Sequence, residues 1–259
     1  MVVMLLRVLV NVFIIVICGQ VAKADTLTFI AEDLPPYHFI NKNNEPDGAL
    51  VDLAKAVIKH TNLSAKFEIM PMARIFYALE HNQNAVTLSL LKTPIREKQL
   101  SWLGEAYFAD AYLVSLKSHT DEVSHLNHAK FYQVATIRGY SSAYYLKEAG
   151  FVEGENLVLV SYYQQLWQML YKKRIDFVLT NTLTLENELK RSGLNPALIT
   201  KRIHLTDYPS KLYFSANKNL NPQTATAISN ALALLKENGE YRAILQKWQL
   251  PLPSTANKL

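Results

Sequence analysis

The sequence predicts an α/β protein built as two lobes around a cleft, and three observations carry that reading. Short β-type runs alternate with amphipathic helical stripes along the chain. Two separate stretches, "PMARIFYALEHNQNAVTLSLLKT" and "YYQQLWQMLYKKRIDFVLTNT", share one helix-then-strand layout, and each strand runs out into polar residues. In open α/β sheets ligands sit beyond the carboxyl ends of the strands, so two such units suggest two sheets whose C-terminal edges face one cleft.

The elements follow in order. Arg7 precedes the apolar run "VLVNVFIIVIC", and small residues stand at Ala22 and Ala24. A bilayer span wants roughly 20 apolar residues. This run is shorter, so residues 1–24 read as a cleavable secretory signal rather than an anchor, and bulky Ile17 before Cys18 argues against lipid attachment. Leu27–Asp33 is a strand ending at Pro35-Pro36, which preclude a ladder or helix and predict a rigid loop. Leu50, Leu53, Ala54, Val57 and Ile58 then recur at helical spacing, and Ala65–Met70 is strand two.

A helix with Ile75 and Leu79 inward leads to the strand Ala85–Leu90, which emerges at Ser89, Lys92 and Thr93. Tyr112–Leu116 begins as a strand, turns polar, and reads as the first crossing between lobes, with hinges near Val114 and Leu205. In "ATIRGYSSAYYLKEAG" a strand passes through Arg138-Gly139 into a helix opened by Ser141 and Ser142. Such a turn leaves free backbone N–H groups beside small hydroxyls, which suits an anion. A helix with Leu166, Met169 and Leu170 leads to the strand Phe177–Thr180, emerging at Asn181 and Thr182. After the strand "LYFSANK", Asn221 is an N-cap with Pro222 behind it, opening a helix with Ile228, Ala231, Leu232 and Leu235 inward. Gly239 breaks it, and a last helix carries Tyr241, Ile244, Leu245 and Trp248.

Composition narrows the function classes. Cys18 is the only cysteine and leaves with the signal, so the mature chain has neither thiol chemistry nor disulfides. Without Arg7 and Lys23 the formal charge falls from +5 to +3, a weak bias. No basic run with interleaved aromatics appears, so nucleic acid is not an expected partner. His119, His125 and His128 with Asp121 and Glu122 match no closed metal motif and read as a solvated loop, so no metal is expected. No nucleophile elbow, zinc-protease helix, phosphate loop or cysteine nucleophile is present, and the chain reads as a non-enzyme without a cofactor.

Five blocks occur in a specific order: "DLPPYHFINKNNEPDGALVDLAKAVIKHTN", "TPIREK", "VATIRGYSSAYYL", "RIDFVLTN" and "ALLKENGEYRAILQKW". In this they resemble the bacterial extracellular solute-binding proteins of family 3, the amino-acid-type receptors of ABC importers, over nearly all the mature chain. The resemblance implies a two-lobed periplasmic-binding-protein fold of type II, with two crossing segments and flytrap closure. Lobe 1 would be residues 25–111 plus 208–259, and lobe 2 residues 112–207. It implies a periplasmic monomer capturing a small polar, carboxylate-bearing ligand for a permease in the inner membrane. The alternatives on the same fold are a receptor reporting to a membrane sensor and a cyclohexadienyl-dehydratase-like enzyme.

By the same likeness Arg96 of the "TPIR" block grips the ligand carboxylate, and Ser141 assists from the other lobe. A planar guanidinium fork suits that task; the alternatives are a surface arginine paired with Glu97 and a plain helix cap at Ser141. Arg74, in the first turn of its helix, and Arg138, before the glycine turn, are further anion-site candidates. Asn181 stands where the family's amino-group acid is expected and reads as a cleft residue or a turn cap. Tyr37 and Phe39 could wall the pocket or sit in the core, and Ser89 is a polar strand end. Leu34 and Leu91 replace the family's covering aromatic and a serine, and Asp52 is the nearest candidate for a displaced acid. An ammonium would therefore meet less negative charge than usual. Protein isolated from the periplasm is expected to begin at Asp25, which intact mass measurement decides; a full-length chain held in the membrane would refute it.

Overall fold

β1 (Leu27–Ala31) is buried along its entire length. A computed structural model describing residues 26–253 explains why. β1 lies between parallel neighbours β4 (Ala65–Ile69) and β5 (Ala85–Leu91), and helices cover both faces, so every side chain points into a core. β12 (Lys211–Asn217) and β6 (Leu100–Phe108) complete a sheet of order β4-β1-β5-β12-β6. The second sheet, of order β11-β7-β10-β8-β9, comprises β7 (Tyr112–Leu116), β8 (Val134–Ile137), β9 (Leu157–Val160), β10 (Phe177–Thr180) and β11 (Ile199–His204). A short hairpin, β2 (Phe39–Ile40) with β3 (Pro46–Asp47), forms a separate two-stranded sheet. The expected signal segment lies outside the described residues.

The periodic stripes become the core faces. α1 (Ala49–Thr61) buries Leu50, Leu53, Ala54 and Val57 with Ile228, Leu232 and Leu235 of α7 (Pro222–Glu237) and Leu245 of α8 (Glu240–Lys247). α2 (Met72–His81) covers the opposite face through Ile75 and Leu79. In the second lobe α4 (Ser141–Glu148) buries Leu146 beside Phe177, while α5 (Tyr163–Tyr171) and α6 (Thr182–Arg191) enclose Trp167 with Leu166 and Leu189. Each such aliphatic side chain contributes about 1.5–3 kcal/mol on burial.

The chain passes between sheets at residues 109–111 and returns at 205–210. The two passages hydrogen-bond to each other, Ala109 N–H to the Ser210 carbonyl at 2.7 Å and Leu205 N–H to the Ala111 carbonyl at 2.9 Å. This corrects the hinge expected near Val114: that residue is fully buried in mid-strand, paired with Val178 and Lys201. His119 also departs from a solvated loop, since its ring lies edge-on to Phe177 at 4.7 Å and to Tyr132 at 5.4 Å.

The proline loop is held by a bridge that sequence alone did not suggest. Leu34 and His38 pair across the turn, with N–H to carbonyl distances of 2.7 and 3.2 Å. Gly48 then fixes this loop to α1. Its φ is +127°, and a Cβ there would stand 2.4 Å from the Tyr37 carbonyl oxygen. The N–H groups of Ala49 and Leu50 donate to the Pro36 and Tyr37 carbonyls, giving the helix start its partners. Gly48→Ala is expected to destabilise the fold by roughly 2–4 kcal/mol, through strain and displaced backbone together. Gly154→Ala, at φ +88° with open space around it, should cost only about 1–2 kcal/mol. Denaturant unfolding of both variants measures the difference.

Candidate functional site

β1, β5, β8 and β10 all end at one place between the sheets, and their exits line a cavity of about 90 Å³. Glu32 and Leu34 follow β1, Leu91 closes β5, Tyr140 and Ser141 follow β8, and Asn181 follows β10. The cavity is shut. Tyr140 donates its phenol to Glu32 across the gap, and an Arg96 Nη donates to the Gly139 carbonyl at 2.9 Å. Arg191 pairs with Asp33 at 3.0 Å, and Asn181 Nδ2 donates to the Tyr37 phenol oxygen at 3.1 Å.

Arg96 lies in α3 (Pro94–Glu97), where the preceding Thr93 carbonyl receives the Arg96 and Glu97 N–H groups and turns the chain inward. Its guanidinium donates to the carbonyls of Leu91 and Gly139 and lies 4.9 Å from the Phe76 ring. Burial lowers its pKa from the ordinary value. Among the described residues it has no ion-pair partner within 4.0 Å, and Glu97 pairs with Lys92 instead. Two of its five N–H groups are donated in these bonds, and the rest leave capacity for an anion.

Ser141 is buried at the start of α4, and its hydroxyl shares a hydrogen bond with the Tyr208 phenol rather than capping the helix. Of its first-turn N–H groups, that of Ala143 donates to the Tyr140 carbonyl at 3.1 Å, while those of Ser141 and Ser142 have no partner among the described residues. Ser89 and His38 form a relay: His38 is fully buried, its Nδ1 donates to the Glu32 carbonyl at 2.6 Å, and its Nε2 therefore accepts from Ser89 Oγ at 2.6 Å. Burial pushes the imidazole down to about 4, so it stays neutral. Ser89 has spent its proton and shows the cavity only lone pairs. Asn181 does both things expected of it. Its Oδ1 caps α6 through the Leu183 N–H at 3.1 Å, and it lines the cavity. Tyr37 is likewise both core and wall.

The remaining candidates lie elsewhere. Arg74 is exposed on α2, outside the cavity. Arg138 also points away, because Glu153 in the loop after α4 captures its guanidinium at 2.5 Å. Phe39 packs edge-on against Trp248 under Arg191. Asp52 is held by Lys247 at 2.6 Å and by the Trp248 indole at 2.8 Å.

The acids that do line the cavity were not anticipated. Glu32 is 8% exposed and Glu188 3%. Glu188 accepts from the Trp167 indole and the Thr184 hydroxyl, each at 2.7 Å, with no cation beside it among the described residues. Burial pushes Glu32 up to about 8 and Glu188 up to about 7. The available signal for Glu188 is its i, i+4 spacing from Thr184 on the face that also buries Leu189. Asp110, from the first crossing, is occupied in capping the Thr182 N–H and hydroxyl.

The chain matches the family model of the bacterial extracellular solute-binding proteins, family 3, over residues 28–251, and it belongs to that family. It is 26% identical over 235 residues to an arginine-binding periplasmic protein of Mannheimia haemolytica, covering 89% of this chain and 94% of the relative. Its fold is similar to that of a histidine kinase sensor domain with similarity to periplasmic binding proteins, at a TM-score of 0.79 and 20% identity, covering 87% and 96% of the two chains. It is also similar to an ancestral amino acid-binding protein, a precursor of cyclohexadienyl dehydratase, at a TM-score of 0.73 and 21% identity over 88% and 97%.

The raised carboxyl pKa values bear on closure. Glu32 is covered by Tyr140 of the opposite lobe, so opening the cleft returns it to water and toward the ordinary carboxylate range of about 4.3, whereas Glu188 is held by Trp167 and Thr184 of its own lobe. The shut form holds a proton on Glu32 that the open form has released, so it is favoured at low pH. It loses ground as pH rises, until about 8. The ligand-free chain is therefore expected to show a larger radius of gyration by small-angle scattering at about pH 8.5 than at about pH 5.5. The substitution Glu32→Gln should abolish that difference.

Proposed function

We propose that this chain is a periplasmic receptor that closes two lobes, residues 25–111 with 208–259 and residues 112–207, on a small carboxylate-bearing solute and presents it to an ABC permease. The solute is an amino acid or a relative of one, and the receptor acts as a monomer. Membership of the family and the arginine-binding relative support the transport reading. The observation that carries the ligand class is Arg96. A guanidinium is half-buried at the cavity with spare donors and no ion-pair partner within 4.0 Å among the described residues, and it bonds to the Gly139 carbonyl in the turn that leads into α4. A ligand held from both sides favours the shut form by its extra contacts there.

A second reading is a receptor that reports occupancy to a membrane sensor, and the similar kinase sensor domain favours it. Co-purification with a permease, against co-purification with a sensor, separates the two. Turnover of prephenate or arogenate would replace both with a dehydratase.

Replacing Arg96 by Ala leaves the bound carboxylate buried without its ionic partner. That is expected to cost roughly 2–5 kcal/mol, on the order of 30-fold to several thousand-fold in affinity. Arg96→Lys should recover little, because an ammonium cannot reproduce the fork. Ser141→Ala should cost about 1 kcal/mol, since the backbone N–H groups remain. Calorimetry with whichever of the twenty amino acids shifts the melting temperature most reads these effects. Unchanged affinity in a folded Arg96→Ala variant removes the clamp.

A further inference from the structure

The cavity at the strand exits encloses a volume of about 90 Å³. An apolar protein cavity of about 150 Å³ holds one benzene, a molecule of about six non-hydrogen atoms. A solute wholly enclosed here is therefore held to on the order of six such atoms, about half the number in L-arginine. Three phenols fix the walls at this spacing. Tyr37 meets the Asn181 amide at 3.1 Å, Tyr208 shares a hydrogen bond with Ser141, and Tyr140 donates to Glu32. The first and last of these bonds join groups that follow strands of different sheets, so the sheets close until those bonds form.

Beyond the Tyr140–Glu32 bond lies a wider hollow of about 280 Å³, which shares Glu32, Met72, Ile137 and Tyr140 with the cavity. That bond is the partition between a small chamber and a larger outer space. The turn that carries Tyr140 is anchored next door, where the Gly139 carbonyl accepts from Arg96 at 2.9 Å.

We propose that Tyr140 sets an upper size limit on the solute, so that the receptor encloses a short carboxylate of the size of glycine, L-alanine or L-serine and rejects solutes as long as L-arginine. This deepens the reading of a carboxylate held at Arg96 and rests on it. A longer solute finds room only by displacing Tyr140 toward the outer hollow. The shut form then loses a hydrogen bond between the sheets and leaves the Glu32 carboxyl without its phenol, a loss that a short solute avoids.

The test is calorimetry on the mature chain with glycine, L-alanine and L-serine against L-glutamine, L-histidine and L-arginine. Ethylamine is added as the analogue of L-alanine that lacks the carboxylate. At least one short amino acid is expected to bind roughly a hundredfold more tightly than any long one, without any substitution. Tyr140→Ala, which removes the partition, should strengthen a long amino acid by about tenfold or more, and Tyr140→Phe, which keeps the ring, should strengthen it less. If a long amino acid binds the parent as tightly as the short ones, the size limit is overturned, and loss of that binding in Arg96→Ala leaves the clamp standing. An unchanged ranking in a folded Tyr140→Ala variant overturns Tyr140 as the wall. If ethylamine matches L-alanine and Arg96→Ala changes neither, the clamp falls and the size limit stands. Binding of none of the probes overturns both.

Discussion

Ala109 bonded to Ser210, and Ala111 to Leu205, make two short antiparallel passages on which the rest of the molecule depends. They bring the chain out of one sheet and back while holding both sheets with their strand exits turned toward each other. Everything chemical then gathers at that junction: Glu32 after β1, Ser89 near the end of β5, Ser141 after β8 and Asn181 after β10. A strand exit is where backbone regularity ends and polar groups become available, so the topology gathers them before any side chain is chosen.

What the side chains add is an uneven distribution of charge. One guanidinium with spare donors stands at one part of the cavity, and two buried carboxyls with spare lone pairs stand at another. The protein does not neutralise either by pairing them within 4.0 Å among the described residues. Instead it holds each with neutral groups: carbonyls for Arg96, hydroxyls and an indole for the acids. Such an arrangement keeps charges poised, because neutral partners orient a group without cancelling it.

Much of the fold was legible because helical and strand periodicity survive in Leu50–Ile58, Ile75–Leu79 and Leu166–Leu170, and those stripes are the core. Arg96, Ser141, Asn181, Tyr37 and Ser89 could be named from block order and strand ends. Glu32 and Glu188 could not. Whether an acid at a strand end or on a helix faces inward depends on the twist of elements packed from elsewhere, and buried Glu188 meets Trp167 of another helix. Arg74 and Arg138 failed for the converse reason. Both lie close in sequence to anion-suited turns, but the Arg138 side chain points to Glu153 and Arg74 to solvent. Nearness along the chain fixes a backbone position and leaves direction open.

α6 has one more property. Its first residue, Thr182, is tied to Asp110 in the crossing, and its last, Arg191, pairs with Asp33 on the opposite lobe. The helix is thus a lever rooted at the pivot, with a length of about 15 Å at ten residues. Rotation about the crossing barely shifts the root while sweeping the tip along an arc of that radius, so the outer ion pair breaks early and the inner tether survives. That outer pair is partly open to water, with 39% and 35% of its side chains exposed, and dissolved salt screens it. The ionic strength of the surrounding fluid therefore sets part of the latch tension, independently of what the cavity contains.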